Sequence, residues 1–253
     1  MTGLSGELRY PYIFYGENTR RAPLVPDLRG DPYILDLSPE SSLFDGIDPR
    51  DQRRYQHIID EQMSGRCTWG LASYMEDRRK LLSSCPQMQR EERFFHLGLD
   101  IIVPAGTGLH APLDSVVEFQ GYEEGEGNYG AFVLLRHSSV HFRTFYSLYG
   151  HLSLASLPPR NREFRAGERF AVVGDFDENG NWFHHTHLQV LTEKGLDEGF
   201  LSRGYCSAKD LPVIRSFLPV PADALYSLKP SVRISRACLM RRKCSGLPPE
   251  SGW

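Results

Sequence analysis

Between Phe94 and Thr192 the apolar positions fall into short β-type runs. The clearest are Leu99–Val103, Ser115–Phe119, Phe132–Arg136, Thr144–Tyr149, Arg169–Val173 and His185–Leu191, with Gly106, Gly121, Gly130, Gly167 and Gly174 among the punctuating turns. No helical period intervenes, so the pattern predicts a mainly β, antiparallel sheet assembly and not a parallel βαβ fold. Upstream the period changes. In Asp48-Pro49-Arg50-Asp51, Asp48 is placed to cap a helix and Pro49 to occupy its first position, and Tyr55, Ile58, Ile59 and Met63 share one face before Gly65 ends the pattern. A second helix is predicted through Leu71, Tyr74, Leu81 and Leu82, stopping before Pro86, with its charged run Glu76–Lys80 solvated. Proline-rich segments around Pro11, Pro23, Pro26 and Pro32 suit a strap laid over another surface. Three parts result: an N-terminal extension over 1–90 (strap plus two helices), a β core over 91–195, and a C-terminal extension over 196–253. The last part has a helix start at Ser207 and a basic tail from Arg233 to Lys243 that reads as disordered.

Composition narrows the function classes. A net charge of -3 argues against broad electrostatic capture of nucleic acid. No apolar stretch is long enough to span a bilayer, and Met1–Arg20 lacks the uninterrupted apolar region of a signal peptide, so a cytoplasmic location is the expectation. The five cysteines, Cys67, Cys85, Cys206, Cys238 and Cys244, are odd in number and scattered, which favours reduced thiols. Cys238 and Cys244 lack a matching second metal pair.

Chemistry concentrates in the β stretch, where His96, Asp100, His151, His184, His185 and His187 lie. Buried imidazoles need partners for two ring nitrogens, so packing alone is a poor reason for so many. On a strand His185, His187 and Gln189 share one face, with neighbours about 7 Å apart, while His184, Thr186, Leu188 and Val190 share the other. His96 and Asp100 would be about 13 Å apart on an extended strand, too far to share an ion, unless the backbone bends at Gly98. Two imidazoles and one carboxylate suit zinc with a position left for water. The same set serves non-haem iron oxygenases, but these have no evident need for further histidines, whereas hydrolysis needs acid/base groups.

The ordered motifs His96-Leu97-Gly98-Leu99-Asp100, Pro104-Ala105-Gly106-Thr107, Tyr129-Gly130, Tyr149-Gly150-His151-Leu152, Ala166-Gly167-Glu168, Val173-Gly174 and His185-Thr186-His187 resemble the lysostaphin-type (β-lytic, glycyl-glycine) zinc metallopeptidases with a LytM-like catalytic domain. The likeness covers roughly Phe94–Leu191. It implies an antiparallel β-sheet groove, a duplicated-hybrid-motif-like metallopeptidase core. It further implies one zinc per chain held by His96, Asp100 and His187, catalytic roles for His151 and His185, and a peptide or peptidoglycan-derived substrate. Thr186, Leu188 and Ala131 depart from the usual residues at non-ligand positions. Trp69-Gly70-Leu71, Tyr74-Met75-Glu76-Asp77-Arg78 and Trp182 look like a branch whose domain carries its own N-terminal extension. Apolar helix faces need burial, so that extension is expected to complete the core rather than cover the groove. His184 is expected to be incidental, and His57, His110, His137 and His141 structural or superficial. The alternatives are a non-catalytic binding module on the same fold and an iron oxygenase.

Overall fold

The computed structural model describes residues 20–140 and 142–214. Pro11, His141, and the Arg233–Lys243 tail with Cys238 and Cys244 lie outside the described residues. Twelve strands follow in chain order: β1 (Tyr33–Leu35), β2 (Gly70–Ala72), β3 (Phe95–His96), β4 (Leu99–Ile102), β5 (Gly108–His110), β6 (Ser115–Glu123), β7 (Gly130–Ser139), β8 (Phe142–Leu152), β9 (Glu163–Phe164), β10 (Arg169–Val172), β11 (His185–Thr192) and β12 (Tyr205–Cys206). Eight form one sheet in the order β1-β2-β4-β11-β8-β7-β6-β9, antiparallel throughout except for the parallel β1–β2 pair. The mainly β, antiparallel prediction describes this architecture. Small two-stranded sheets, β10–β5 and β12–β3, flank it.

Alternation along β7 explains how the sheet is buried on both faces. Ala131, Val133 and Leu135 point into one core with Leu99, Ile101, Tyr149 and Leu188. Phe132 and Leu134 point into another with Leu97, Tyr129, Leu148 and Phe200. Each face removes apolar side chains from water, at roughly 25 cal/mol per Å² of area buried. A third cluster joins the N-terminal segment to the sheet, with Leu35, Tyr55, Ile59, Ala72 and Leu82 packed with Ile102, Trp182 and Phe183.

Two helical expectations are corrected. Helix α1 spans Gln52–Met63, and its cap is Asp51, which accepts from the Arg54 amide at 3.0 Å, not Asp48. Asp48 instead accepts from the Arg50 amide in the preceding turn. Gly65, with φ +68°, follows the helix, where the pattern placed the stop. The second helix, expected from Leu71 to Leu82, does not form. Its first residues are strand β2, hydrogen-bonded to β1 on one side and β4 on the other, and Met75 adopts φ +59°. Only a 3-10 turn at Leu81–Ser84 remains, and the short helix α2 (Pro86–Glu91) begins at the proline that was expected to mark a stop. Ladder bonds on both edges of β2 outweigh a weak local helical preference. Past the sheet come α3 (Glu193–Asp197), a turn at Ser207 and α4 (Leu211–Ile214). Cys67, Cys85 and Cys206 are free thiols. Among the described residues no helix is long and apolar enough to cross a membrane.

Candidate metal centre

Sheet register brings the chemistry together. Asp100 on β4 lies directly opposite His187 on β11, and His187 lies opposite Gly150 on β8, so His151 follows one residue later. His96 arrives from a different sheet. β3 pairs with β12, β4 pairs with β2 and β11, and the chain crosses between them at Leu97–Gly98. That crossing replaces the separation of an extended strand with a contact, His96 Nε2 standing 3.2 Å from Asp100 Oδ1. Gly98 lies at the expected break, but close approach is what requires it there. A Cβ on Gly98 would sit 2.3 Å from Cε1 of His187, nearer than real Cβ contacts allow.

Among the described residues, the ligand atoms of His96, Asp100 and His187 lie within 4.8 Å of one another, all in buried side chains. Their outer bonds decide which nitrogens face inward. His96 Nδ1–H donates to the Ser73 carbonyl at 3.0 Å, and His187 Nε2–H donates to Gln189 Oε1 at 3.1 Å. Gln189 is oriented by its own amide, which donates to the Phe200 carbonyl. These partners imply tautomers in which the inward atoms, His96 Nε2 and His187 Nδ1, both carry lone pairs, yet they stand 2.9 Å apart. Asp100 Oδ1 is buried without a hydrogen-bond partner, with His187 Nδ1 at 3.4 Å and His185 Nε2 at 3.5 Å. Lone pairs and an anionic oxygen converging on one point form a donor set that could hold a cation such as zinc.

The remaining two histidines are held in the same manner. His185 Nδ1–H donates to the Phe183 carbonyl and His151 Nδ1–H to the Asn179 carbonyl, each at 2.7 Å, so both present Nε2 as an acceptor. Their ring centroids are 4.4 Å apart. His151 has φ +62°, uncommon outside glycine. Its amide donates to the Tyr129 carbonyl and its carbonyl accepts from the Gly174 amide, so the backbone is fixed on both sides.

Electrostatics follow from burial. Desolvation brings the His96 imidazole down to about 3, with Arg78 adding to the effect, and brings His185 down to about 4. His151 is also held well below its ordinary range, by burial first and then by His185 and His187. Burial alone would push the Asp100 carboxyl up, but His96, Arg78 and His185 hold it well below the usual carboxylate range. Asp100, His151, His185 and His187 border a cleft of about 420 Å³ whose walls include Arg93, Glu123, Tyr129, Trp182 and Tyr205, while His96 is buried behind them.

All five site residues named from the sequence therefore meet in one place. His184 stands apart, its Nε2 3.0 Å from Asp175 and its ring against Phe176. The sequence reading missed Arg78, placed on a solvated helix. It is 2 % exposed, and its Nη1 donates to Asp100 Oδ2 at 2.6 Å. It also missed the orienting roles of Ser73 and Asn179, which act through backbone carbonyls and leave no mark in residue type. Gln189 was legible as a neighbour on the His187 face, and its burial now gives that position a partner.

Residues 94–197 match the model of peptidase family M23. An uncharacterized metalloprotease of Haemophilus influenzae is 38% identical over 80 residues, 32% of this chain and 15% of the relative. DD-carboxypeptidase/endopeptidase Mpg of Neisseria meningitidis is 37% identical over 79 residues, 31% of this chain and 16% of the relative. The chain thus spans only a small part of the length of these relatives. Among solved structures, the catalytic domain of lysostaphin from Staphylococcus simulans is 17% identical with a TM-score of 0.34, covering 48% of this chain and 80% of that one. Residues 94–197, which carry the ordered motifs and the His-Asp-His cluster, are thus similar to the domain of peptidase family M23.

Proposed function

We propose that the chain is a zinc-dependent endopeptidase acting on glycine-containing or peptidoglycan-derived peptides. In this reading His96 Nε2, Asp100 Oδ1 and His187 Nδ1 hold one zinc ion, and His151 and His185 move protons. The observation that carries it is the buried, unpartnered Asp100 Oδ1 surrounded by imidazole nitrogens whose other ring atoms are already bonded. Zinc bound there supplies Lewis-acid activation of water and polarisation of a peptide carbonyl. The chain supplies the acid/base groups. His151 and His185 have their Nδ1–H bonds committed to backbone carbonyls, so either Nε2 accepts a proton from water and returns it to the leaving amine. Their depressed basicity keeps both neutral, and therefore proton acceptors, at neutral pH. Tyr129 and Trp182 line the cleft beside them.

The test is metal stoichiometry on purified protein together with hydrolysis of a glycine-rich peptide panel by wild type, His151→Ala, His185→Ala and His187→Ala. We expect one zinc per wild-type chain. Both catalytic variants should retain the metal and lose about 10²- to 10⁴-fold in turnover, while His187→Ala loses metal and activity together. Bound zinc with no cleavage of any peptide would favour a binding module on the same fold. Bound iron with oxygen consumption would favour an oxygenase.

A further inference from the structure

Arg78 lies outside the stretch that matches the peptidase family, yet it makes the closest contact with a candidate metal ligand from outside the ligand set. Its Nη1 is 2.6 Å from Asp100 Oδ2, and its Nε is 3.0 Å from Glu76 Oε2. Glu76 is anchored in turn, its Oε1 accepting from the Leu37 amide at 3.1 Å. The backbone around this pair is not free to drift. Met75 N–H donates to the His96 carbonyl, His96 N–H donates to the Glu76 carbonyl, and Arg78 N–H donates to the Phe94 carbonyl. The same segment contributes the Ser73 carbonyl that orients the His96 ring.

A buried guanidinium is costly unless its charge and donors are matched, and here the charge, Nε and Nη1 are matched by carboxylates while Nη2 is buried without a hydrogen-bond partner. The consequence for Asp100 is geometric. One oxygen is occupied by Arg78, and the other, Oδ1, is the oxygen left without a partner among the imidazoles. We propose that Arg78 is a positioning residue of the metal centre: by holding Asp100 Oδ2 it makes the carboxylate a one-oxygen ligand aimed through Oδ1, and the Ser73–Arg78 segment thereby becomes part of the metal site. Glu76 offsets the repulsion that the guanidinium would exert on a divalent cation. The inference rests on the proposed zinc site and goes beyond it, because it assigns a metal-site role to residues N-terminal to the family match.

A purely structural ion pair would lower stability with or without metal and leave affinity alone, so the two roles are separable. Arg78→Lys keeps the buried cation but loses the planar fork that fits Asp100 and Glu76 together. The experiment is zinc affinity by competition with a chromophoric chelator on the full chain, with the visible spectrum of the cobalt(II)-loaded protein as a report on ligand geometry. Thermal unfolding of the metal-free protein serves as the control for folding. For Arg78→Lys and Arg78→Gln we expect zinc affinity to fall about 10- to 100-fold with an altered cobalt spectrum. Glu76→Gln, which loosens the other anchor, should act in the same direction by a smaller factor and keeps the test open if Arg78→Gln does not fold. Folded variants with wild-type zinc affinity and an unchanged cobalt spectrum would overturn the role of Arg78 while leaving the zinc site intact. A wild-type protein that binds no zinc would overturn the zinc site, and this role with it.

Discussion

His137 shows how the surroundings of a histidine, more than its residue type, set its behaviour. It lies on β7, fully buried, with Nε2 2.7 Å from Ser147 Oγ and Nδ1 3.3 Å from the Asp114 carbonyl, away from the candidate metal ligands. Burial brings its imidazole down to about 4, against about 6.5 in an unfolded chain. The unfolded state therefore binds more protons between those values, so stability falls as pH drops through that window and is level above it. The contribution at stake is about 3 kcal/mol. In unfolding titrations on metal-free protein, His137→Gln should lose up to about 1.4 kcal/mol per pH unit of that slope. An unchanged slope would show that His137 is not buried in its neutral form. At the site the same residue type meets different partners. Carbonyls fix His96, His151 and His185, and the Gln189 amide oxygen fixes His187, so each tautomer is selected from outside the cluster.

Among the elements, α1 and β2 illustrate opposite outcomes. The amphipathic face of α1 was readable from Tyr55, Ile58, Ile59 and Met63, because a helix carries its hydrogen bonds within the segment. Its start was not, since Asp48 and Asp51 are equally good caps and only the turn at Pro49 selects between them. The helix also has a task that its apolar pattern did not predict. Gln52 is buried and its Oε1 accepts from the Phe183 amide at 3.0 Å, while Gln56 Oε1 accepts from the His184 amide at 2.6 Å, so α1 tethers the approach to His185. Gln52→Leu leaves the Phe183 N–H buried and unpaired and should cost about 1–3 kcal/mol in urea unfolding. A change below a few tenths would mean that this hydrogen bond does not contribute to stability. β2 was misread because strand formation depends on partners distant in sequence. Tyr33 and Ile102 both pair with Gly70, and neither is visible in the local pattern of Leu71 and Tyr74.

For the molecule as a whole, the long sheet ties the N-terminal segment and the β core over residues 94–197 into one hydrogen-bonded ladder, from β1 and β2 through β4 to β11 and β8. A metal bound where β4 and β11 meet should therefore act on global stability. Zinc at 100-fold excess over its dissociation constant is expected to stabilise the fold by about 2.7 kcal/mol, read as a rise in melting temperature that a chelator reverses. No shift on adding either would argue against a native metal site. The antiparallel class and the five histidine and aspartate candidates were legible in the sequence, because strand alternation is local and metal-binding chemistry is restricted to few residue types. What the sequence could not disclose was that Glu76 and Arg78 turn inward. A charged run reads as solvated unless its counter-charge is known, and Asp100 becomes that partner only when β2 pairs with β4 and the following segment bonds to residues 94–96. Local sequence determined which residues could bind a cation; long-range strand pairing decided which atoms face it and which side chains hold them there, because register is a property of partners and not of any one segment.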